Sequence, residues 1–262
     1  MAFLEKNKAK IYYEVYGNSG DWLALINGFT RSSSDFRMMA RFFEKQGFRV
    51  LLFDNRGAGK TLNKEVFSLE DIADDLEELT KELRIDSLSL AGFSMGGIIA
   101  RCFAHKYTKK VKALILVSTP FDKSFVTKSG AGFFSKNLLE IEENFSRYVA
   151  ESFFKKNRVL LKSMAQRTFN DLEKGYRKSH ESQRLAIEMT QDSLFSIPDK
   201  LKYVLLIHGQ SDQITPLSHA QQLKGKYPKA ELKILAEAGH LLLIEKTKEL
   251  YEMVFSFISG FD

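Results

Sequence analysis

One cysteine, Cys102, stands in a chain of 262 residues, so no intrachain disulfide can form and no C-x-x-C metal or redox motif is available. A reducing compartment suits such a chain. No stretch offers the roughly 18 uncharged apolar residues that a spanning helix needs. The N-terminal sequence M-A-F-L-E-K-N-K-A-K meets charge at Glu5 and Lys6, before any apolar run of signal-peptide length. A cytoplasmic protein without a membrane span is the expectation. There is no block of like charge either. The 39 Lys+Arg and 33 Asp+Glu, net +6, are spread along the chain, which speaks against a nucleic-acid-binding arm. Internal repeats and low-complexity segments are also lacking.

What the chain does have is 44% hydrophobic residues, enough for a sizeable core. Eight stretches read as strands: Phe3–Glu5, Lys10–Tyr16, Trp22–Ile26, Phe48–Phe53, Leu88–Ala91, Val111–Val117, Tyr203–Ile207 and Glu231–Leu235. Several are continuous apolar runs, as expected of strands covered on both faces. Helical patterns separate them. Ser33–Asp35 reads as the cap of a helix whose inner face is Phe36, Met39, Ala40 and Phe43. Ser68–Asp71 reads as the capped, acidic start of another, with Ile72, Leu76, Leu79 and Leu83 inside. Leu217–Lys226 and Glu245–Ile258 are the last two. Strands and helices in alternation predict an α/β fold with a mostly parallel eight-stranded sheet.

The alternation stops at Pro120. From Phe121 to Pro198 only helical spacing is found: Leu138, Ile141, Phe145, Val149 and Phe153, then Leu160–Leu172, then a stretch holding Leu185 and Met189. The segment is too long and too patterned for a plain loop. It reads as a helical lid (121–198) inserted in a core domain formed by 1–120 and 199–262.

Leu88–Cys102, L-S-L-A-G-F-S-M-G-G-I-I-A-R-C, predicts strand, tight turn and helix, with Ser94 at the turn. Gly92 and Gly96 leave room for a serine at a strained backbone angle, its hydroxyl at a helix N-terminus where free N–H groups meet developing negative charge. The G-x-S-x-G pattern is a known nucleophile elbow. A turn serine would satisfy it equally well, so partners decide. A serine hydroxyl needs a base, and the base needs a third group to orient it. Of five histidines, His105 lies about three turns along the helix that follows Ser94, His180 belongs to the polar lid, and His219 sits on a helix face after Pro216. His208, before Gly209, reads as a turn-shaping residue. His240 follows Gly239 in the loop between the last strand and the last helix, at the carboxyl edge of the sheet where open α/β folds carry their sites. Asp212 occupies the loop one strand earlier.

Taken together, G-F-S-M-G-G, H-G-x-x-D-x-x-x-P (208–216) and A-G-H (238–240), in the order Ser94, Asp212, His240, resemble the α/β-hydrolase family over essentially the whole chain. The resemblance implies an α/β-hydrolase fold with a cap inserted after the sixth strand. It also implies a Ser94–His240–Asp212 triad, with Asp122 as the alternative acid that some members use, and an oxyanion hole at the backbone N–H groups of Phe29 and Met95. One departure stands out. Asn27-Gly28 replaces the His-Gly that members usually show, and Asn is expected to hold the turn by bonding its own backbone. Losing one oxyanion donor typically costs about 100- to 1,000-fold in rate.

The activity implied is cleavage of a carboxylic ester or thioester through an acyl-enzyme, with no metal and no organic cofactor. A serine at 94 speaks against dehalogenase and epoxide-hydrolase chemistry, which would want Asp there. Asp54-x-Arg56-Gly57-x-Gly59 reads as a structural turn. Gly59-Lys60-Thr61 is no phosphate loop, because Asp54 stands where that motif needs glycine. The expected partner is a small apolar ester, and nine phenylalanines in 121–198 (121, 125, 133, 134, 145, 153, 154, 169 and 195) either line an acyl pocket or pack the lid. The 13 Lys+Arg against 10 Asp+Glu of that segment are compatible with an acidic acyl carrier protein, as in the pimeloyl-carrier-protein methyl esterases that the chain resembles in size and cap placement. Carbon–carbon bond hydrolysis or a lyase reaction by the same triad is the alternative.

Overall fold

The computed structural model describes residues 2–6, 9–63, 65–123, 137–173 and 177–260. Its strands are β1 (Ala2–Lys6), β2 (Ala9–Tyr16), β3 (Trp22–Ile26), β4 (Arg49–Phe53), β5 (Leu62–Asn63), β6 (Leu88–Phe93), β7 (Val111–Val117), β8 (Val204–Gly209) and β9 (Glu231–Leu235). They form one sheet in the order β1-β2-β4-β3-β6-β7-β8-β9, with β5 pairing onto β2. The eight expected strands are therefore present, and a ninth is added. β5 is two residues in a polar turn, too short for any alternation to betray it. The β1–β2–β4 pairs are antiparallel and the pairs from β4 onward parallel.

Alternation in the central strands divides the core in two. Ala24 and Ile26 of β3 face Ile72, Leu76 and Leu79 of α2 (Leu69–Glu82) and Ile98, Ile99 and Phe103 of α3 (Met95–Lys106). Leu23 and Leu25 face the other way, toward Met39, Ala40 and Phe43 of α1 (Arg37–Lys45) and Leu250, Val254 and Ile258 of the last helix (Thr247–Ile258). Both faces are thus dry, which is why β3, β6 and β8 are buried along their whole length. α2 starts as expected, with Ser68 and Asp71 bonding each other's backbone N–H. The first helix does not. Ser33–Phe36 is a 3₁₀ turn with no side-chain cap, because the hydroxyls and carboxylate that would cap it are engaged elsewhere, Ser33 Oγ with Glu14, Ser34 Oγ with Ser32 and Asp35 with Arg31. Asp54 Oδ1 takes the Ser33 N–H at 2.6 Å. Asp54 also accepts from Lys60 N at 2.7 Å, and Arg56 makes a buried two-point pair with Asp75, so the polar side chains of the Asp54–Gly59 stretch are spent on holding a turn.

Between β7 and β8, the described residues hold α4 (Leu138–Tyr148), α5 (Glu151–Lys156), α6 (Arg158–Asp171) and α7 (Arg177–Met189), and no strand. The run from Leu138 to Phe153 is not one helix. It breaks at Val149, whose backbone is extended (φ −131°, ψ 159°), and the exposed backbone there is bonded by the loop that follows β9. Ile141, Phe145, Val149, Leu161 and Ala165 form a cluster of their own, reached from the core by Leu241 and Ile244. Of the nine phenylalanines, 125, 133 and 134 lie outside the described residues. Of the other six, Phe121 and Phe195 pack into the core beneath α2 and α3, and Phe145, Phe153, Phe154 and Phe169 into the segment's own cluster. The entry and exit of the segment meet at Arg101 on α3, which is fully buried and donates to the carbonyls of Pro120 (2.7 Å), Phe121 (3.4 Å) and Phe195. Burial pushes its guanidinium down to about 10. Among the described residues, no helix is long and apolar enough to cross a membrane.

At the antiparallel end of the sheet, the buried Glu14 accepts from Arg37 Nη2 (2.7 Å), Tyr12 Oη (2.9 Å) and Tyr16 Oη (2.8 Å). Burial raises its carboxyl, but hydrogen bonds from Arg37, Tyr16 and Tyr12 more than reverse this and hold it at about 2. A carboxyl depressed on folding stabilises the protein above its unfolded titration, and that contribution is lost as pH falls toward 2. Glu14→Gln is expected to cost about 2 kcal/mol near neutral pH. In urea unfolding, the gap between the two proteins should close as the pH is lowered from 5 toward 2.

Candidate active site

The turn between β6 and α3 places Ser94 at φ 54°, ψ −118°, a left-handed conformation that a non-glycine residue adopts only under constraint. The constraint is close packing. A Cβ on Gly92 would lie 2.3 Å from the Gly96 carbonyl oxygen, and one on Gly96 would lie 2.1 Å from that of Ile26. The strand, the start of the helix and β3 therefore meet at contact distance, as the two glycines predict. Ser94 N donates to the Val117 carbonyl at 2.9 Å, tying the turn to β7.

Ser94 Oγ lies 3.1 Å from His240 Nε2, and His240 Nδ1 lies 2.8 Å from Asp212 Oδ2. Three side chains from three separate loops thus share one hydrogen-bonded line, and all three are buried. Asp122, the alternative acid, is not in it; that residue lies past β7, where its charge acts on Arg101.

Asp212 is set by its own loop. Oδ1 accepts from Ile214 N (2.8 Å) and Thr215 N (2.9 Å), while Oδ2 accepts from Thr215 Oγ1 (2.8 Å) as well as facing His240. Burial alone would raise this carboxyl, but the imidazoles of His240 and His208 and the Thr215 amide outweigh it and keep Asp212 below the usual carboxylate range. Thr215 went unremarked in the sequence, although it is the residue before the motif's Pro216. His208 has the turn-shaping place expected of it. Its Nε2 lies 2.6 Å from the Thr215 carbonyl, and burial pushes its imidazole toward neutrality.

The His240 loop is held from the inserted segment. His240 N and Leu241 N both donate to the Tyr148 carbonyl, at 2.8 and 3.0 Å, and the Tyr148 ring stands 5.9 Å from the imidazole on one side with Phe93 at 5.3 Å on another. Neither Tyr148 nor this grip was foreseen, because nothing in a helical spacing pattern shows where a helix will stop and what its last carbonyl will meet.

Across the serine, β3 runs parallel to β6 with Ile26 opposite Gly92, so the Asn27–Thr30 turn leaves the sheet beside the elbow. Met95 is the first residue of α3, and Phe29 lies in that neighbouring turn. Asn27 does not hold the turn as expected. Its Nδ2 is buried without a hydrogen-bond partner among the described residues, and Asn55 Nδ2 grips the Asn27 carbonyl instead, at 2.9 Å. The turn is also gripped from above. Gln183 on α7 accepts from Thr30 N (2.7 Å) and donates to the Arg56 carbonyl (2.8 Å). His180, one turn earlier on that helix, is buried with its ring 6.4 Å from Phe29, a correction to its expected polar setting: this helix face looks inward. His105 bonds Ser196, and His219 accepts from Phe121 N at 3.0 Å, so neither takes a place in the hydrogen-bonded line.

The sequence matches the alpha/beta hydrolase fold family over residues 21–247. It is 25% identical over 248 residues to the sn-1-specific diacylglycerol lipase ABHD11 of Mus musculus (90% of this chain, 80% of the relative). To a putative 2-succinyl-6-hydroxy-2,4-cyclohexadiene-1-carboxylate synthase of Bacillus subtilis it is 26% identical over 259 residues (93% and 92%). Among solved structures, an alpha/beta hydrolase from a Medee basin deep-sea metagenome library superimposes with a TM-score of 0.85 at 21% identity, covering 100% of this chain and 98% of that one.

Thr215→Val keeps the shape of the loop but deprives Asp212 Oδ2 and the Ser118 carbonyl of a donor. A loss of about 1–3 kcal/mol in urea unfolding is expected, against a change near zero for the exposed threonine-free surface substitution Lys248→Gln.

Proposed function

The chain belongs to the alpha/beta hydrolase fold family, and from that premise we propose that it is a serine hydrolase acting on a carboxylic ester or thioester of a small to medium apolar acyl group. The observation that carries the proposal is the buried line from Ser94 Oγ through His240 to Asp212. In this reading His240 Nε2 takes the proton of Ser94 as its oxygen attacks the carbonyl carbon. Asp212 fixes the tautomer with Nδ1–H and stabilises the imidazolium. The Phe29 and Met95 amides receive the oxyanion, His240 returns the proton to the leaving alcohol or thiol, and water activated by the same imidazole releases the acid.

Residues 121–198 act as the lid over a core made of 1–120 and 199–262. The contacts of Gln183 with Thr30 and of Tyr148 with His240 support that role, since they bring the segment against both sides of the serine. Docking of an acidic acyl carrier protein that bears the ester rests on the basic surplus of that segment alone. Carbon–carbon bond chemistry by the same three residues is the second reading, supported by the likeness to the B. subtilis carboxylate synthase.

A fluorophosphonate probe should label the wild-type protein at Ser94 and leave Ser94→Ala unlabelled. Hydrolysis of p-nitrophenyl esters should fall on the order of 10⁴- to 10⁶-fold in Ser94→Ala or His240→Ala. Full turnover by Ser94→Ala overturns the scheme. Product analysis with vinylogous diketones against short esters separates the two readings.

A further inference from the structure

Glu245 closes α8 (Leu242–Glu245 in the turn after His240) and has no part in the scheme above, yet its half-buried carboxylate joins two segments far apart in the chain. Oε2 accepts from Ala150 N at 2.7 Å and from Gly239 N at 3.0 Å, with Oε1 3.1 Å from the same Gly239 amide. Gly239 precedes His240. Ala150 opens the six-residue helix that follows the break at Val149. The fit between the two segments is close, since a Cβ on Gly239 would lie 2.7 Å from Val149 Cα. Beside it, His240 N and Leu241 N bond the Tyr148 carbonyl, and Leu241 and Ile244 pack into the cluster formed by Ile141, Phe145 and Val149. Three consecutive amides, 239 to 241, are thereby fixed by one carboxylate and one carbonyl. Burial keeps the Glu245 carboxyl raised and the charge of Asp212 adds to this, while the Ala150, Gly239 and Leu241 backbones pull it back.

We propose that Glu245 is a positioning residue that acts through His240: by holding Gly239 to Ala150, it makes the seating of the inserted segment and the placing of the imidazole a single event. The inference rests on the Ser94–His240 reading. A carboxylate suits the place because both facing groups are donors and its second oxygen, Oε1, also lies 3.1 Å from the Gly239 amide. A glutamine of the same shape turns an N–H₂ toward one of them, and the His240 backbone is released by fractions of an ångström, a displacement that costs rate far more than it costs binding.

The test is Glu245→Gln, with Ala150→Pro as the second variant. Proline at 150 removes the other donor at a position whose φ of −61° suits it, after a residue that is already extended. Each is compared with wild type and with the exposed Glu249→Gln on a short p-nitrophenyl ester and in fluorophosphonate labelling, with folding checked by thermal unfolding. The expected result is a kcat and labelling rate lowered about 10- to 100-fold in either variant, and KM within about threefold of wild type. The proton resonance of the His240–Asp212 hydrogen bond should be lost or broadened, and Glu249→Gln should be unaffected. A folded variant with wild-type kcat, or with its whole loss in KM, overturns the positioning role. Should Glu245→Gln not fold, Ala150→Pro decides by the same readouts. Absence of labelling in the wild type would instead overturn the hydrolase reading itself, so the two failures are distinct.

Discussion

The left-handed backbone at Ser94 is the constraint on which the rest of the molecule depends. A residue with a side chain held at φ 54° is unfavourable in isolation and persists only when its surroundings leave no alternative. Here β6 and β7 fix the incoming strand, the Gly92 and Gly96 contacts bring the helix and β3 within touching distance, and the Ser94 amide is anchored on Val117. The dry sheet, with helices on both faces, supplies the rigidity. Its parallel strands end at one edge, so the loops after β3, β6, β8 and β9 emerge side by side.

Burial then sets the electrostatics. Asp212 sits out of water with three donors from its own loop and an imidazole against it, so its charge is held by fixed dipoles instead of solvent. Such a charge polarises the facing imidazole without having to reorganise water around it, which is the arrangement that makes a serine hydroxyl reactive.

Much of this was legible in the sequence, and for physical reasons. Strands covered on both faces announce themselves as unbroken apolar runs, and an elbow needs glycines at fixed offsets, so Leu88–Cys102 could be read as strand, turn and helix, while it took Asp212 and His240 to single out Ser94. Asp212 could be placed because it follows a strand of that kind, β8, and His240 because it follows Gly239 in the loop after β9, a strand whose outer residues stay exposed. Long-range backbone bonding was not legible. The break at Val149, the grip of Tyr148 on the His240 loop and the reach of Gln183 to Thr30 depend on which carbonyl or amide ends up facing which loop, and residue type does not encode that. The same holds for Ser33, whose amide was claimed by Asp54 twenty-one positions away, and for Asn27, whose turn is held by Asn55 and not by its own side chain.

Arg101 bears on how such a chain could diversify. Because the carbonyls at which the inserted segment departs and returns converge on one buried guanidinium, the two ends are clamped at a fixed separation by the framework itself. The framework thus offers a socket: stretches of other lengths and shapes could be exchanged between those ends while strand order and the Ser94 turn stay as they are. Novelty in what the molecule accepts would then arise by swapping a cassette, leaving the chemistry untouched.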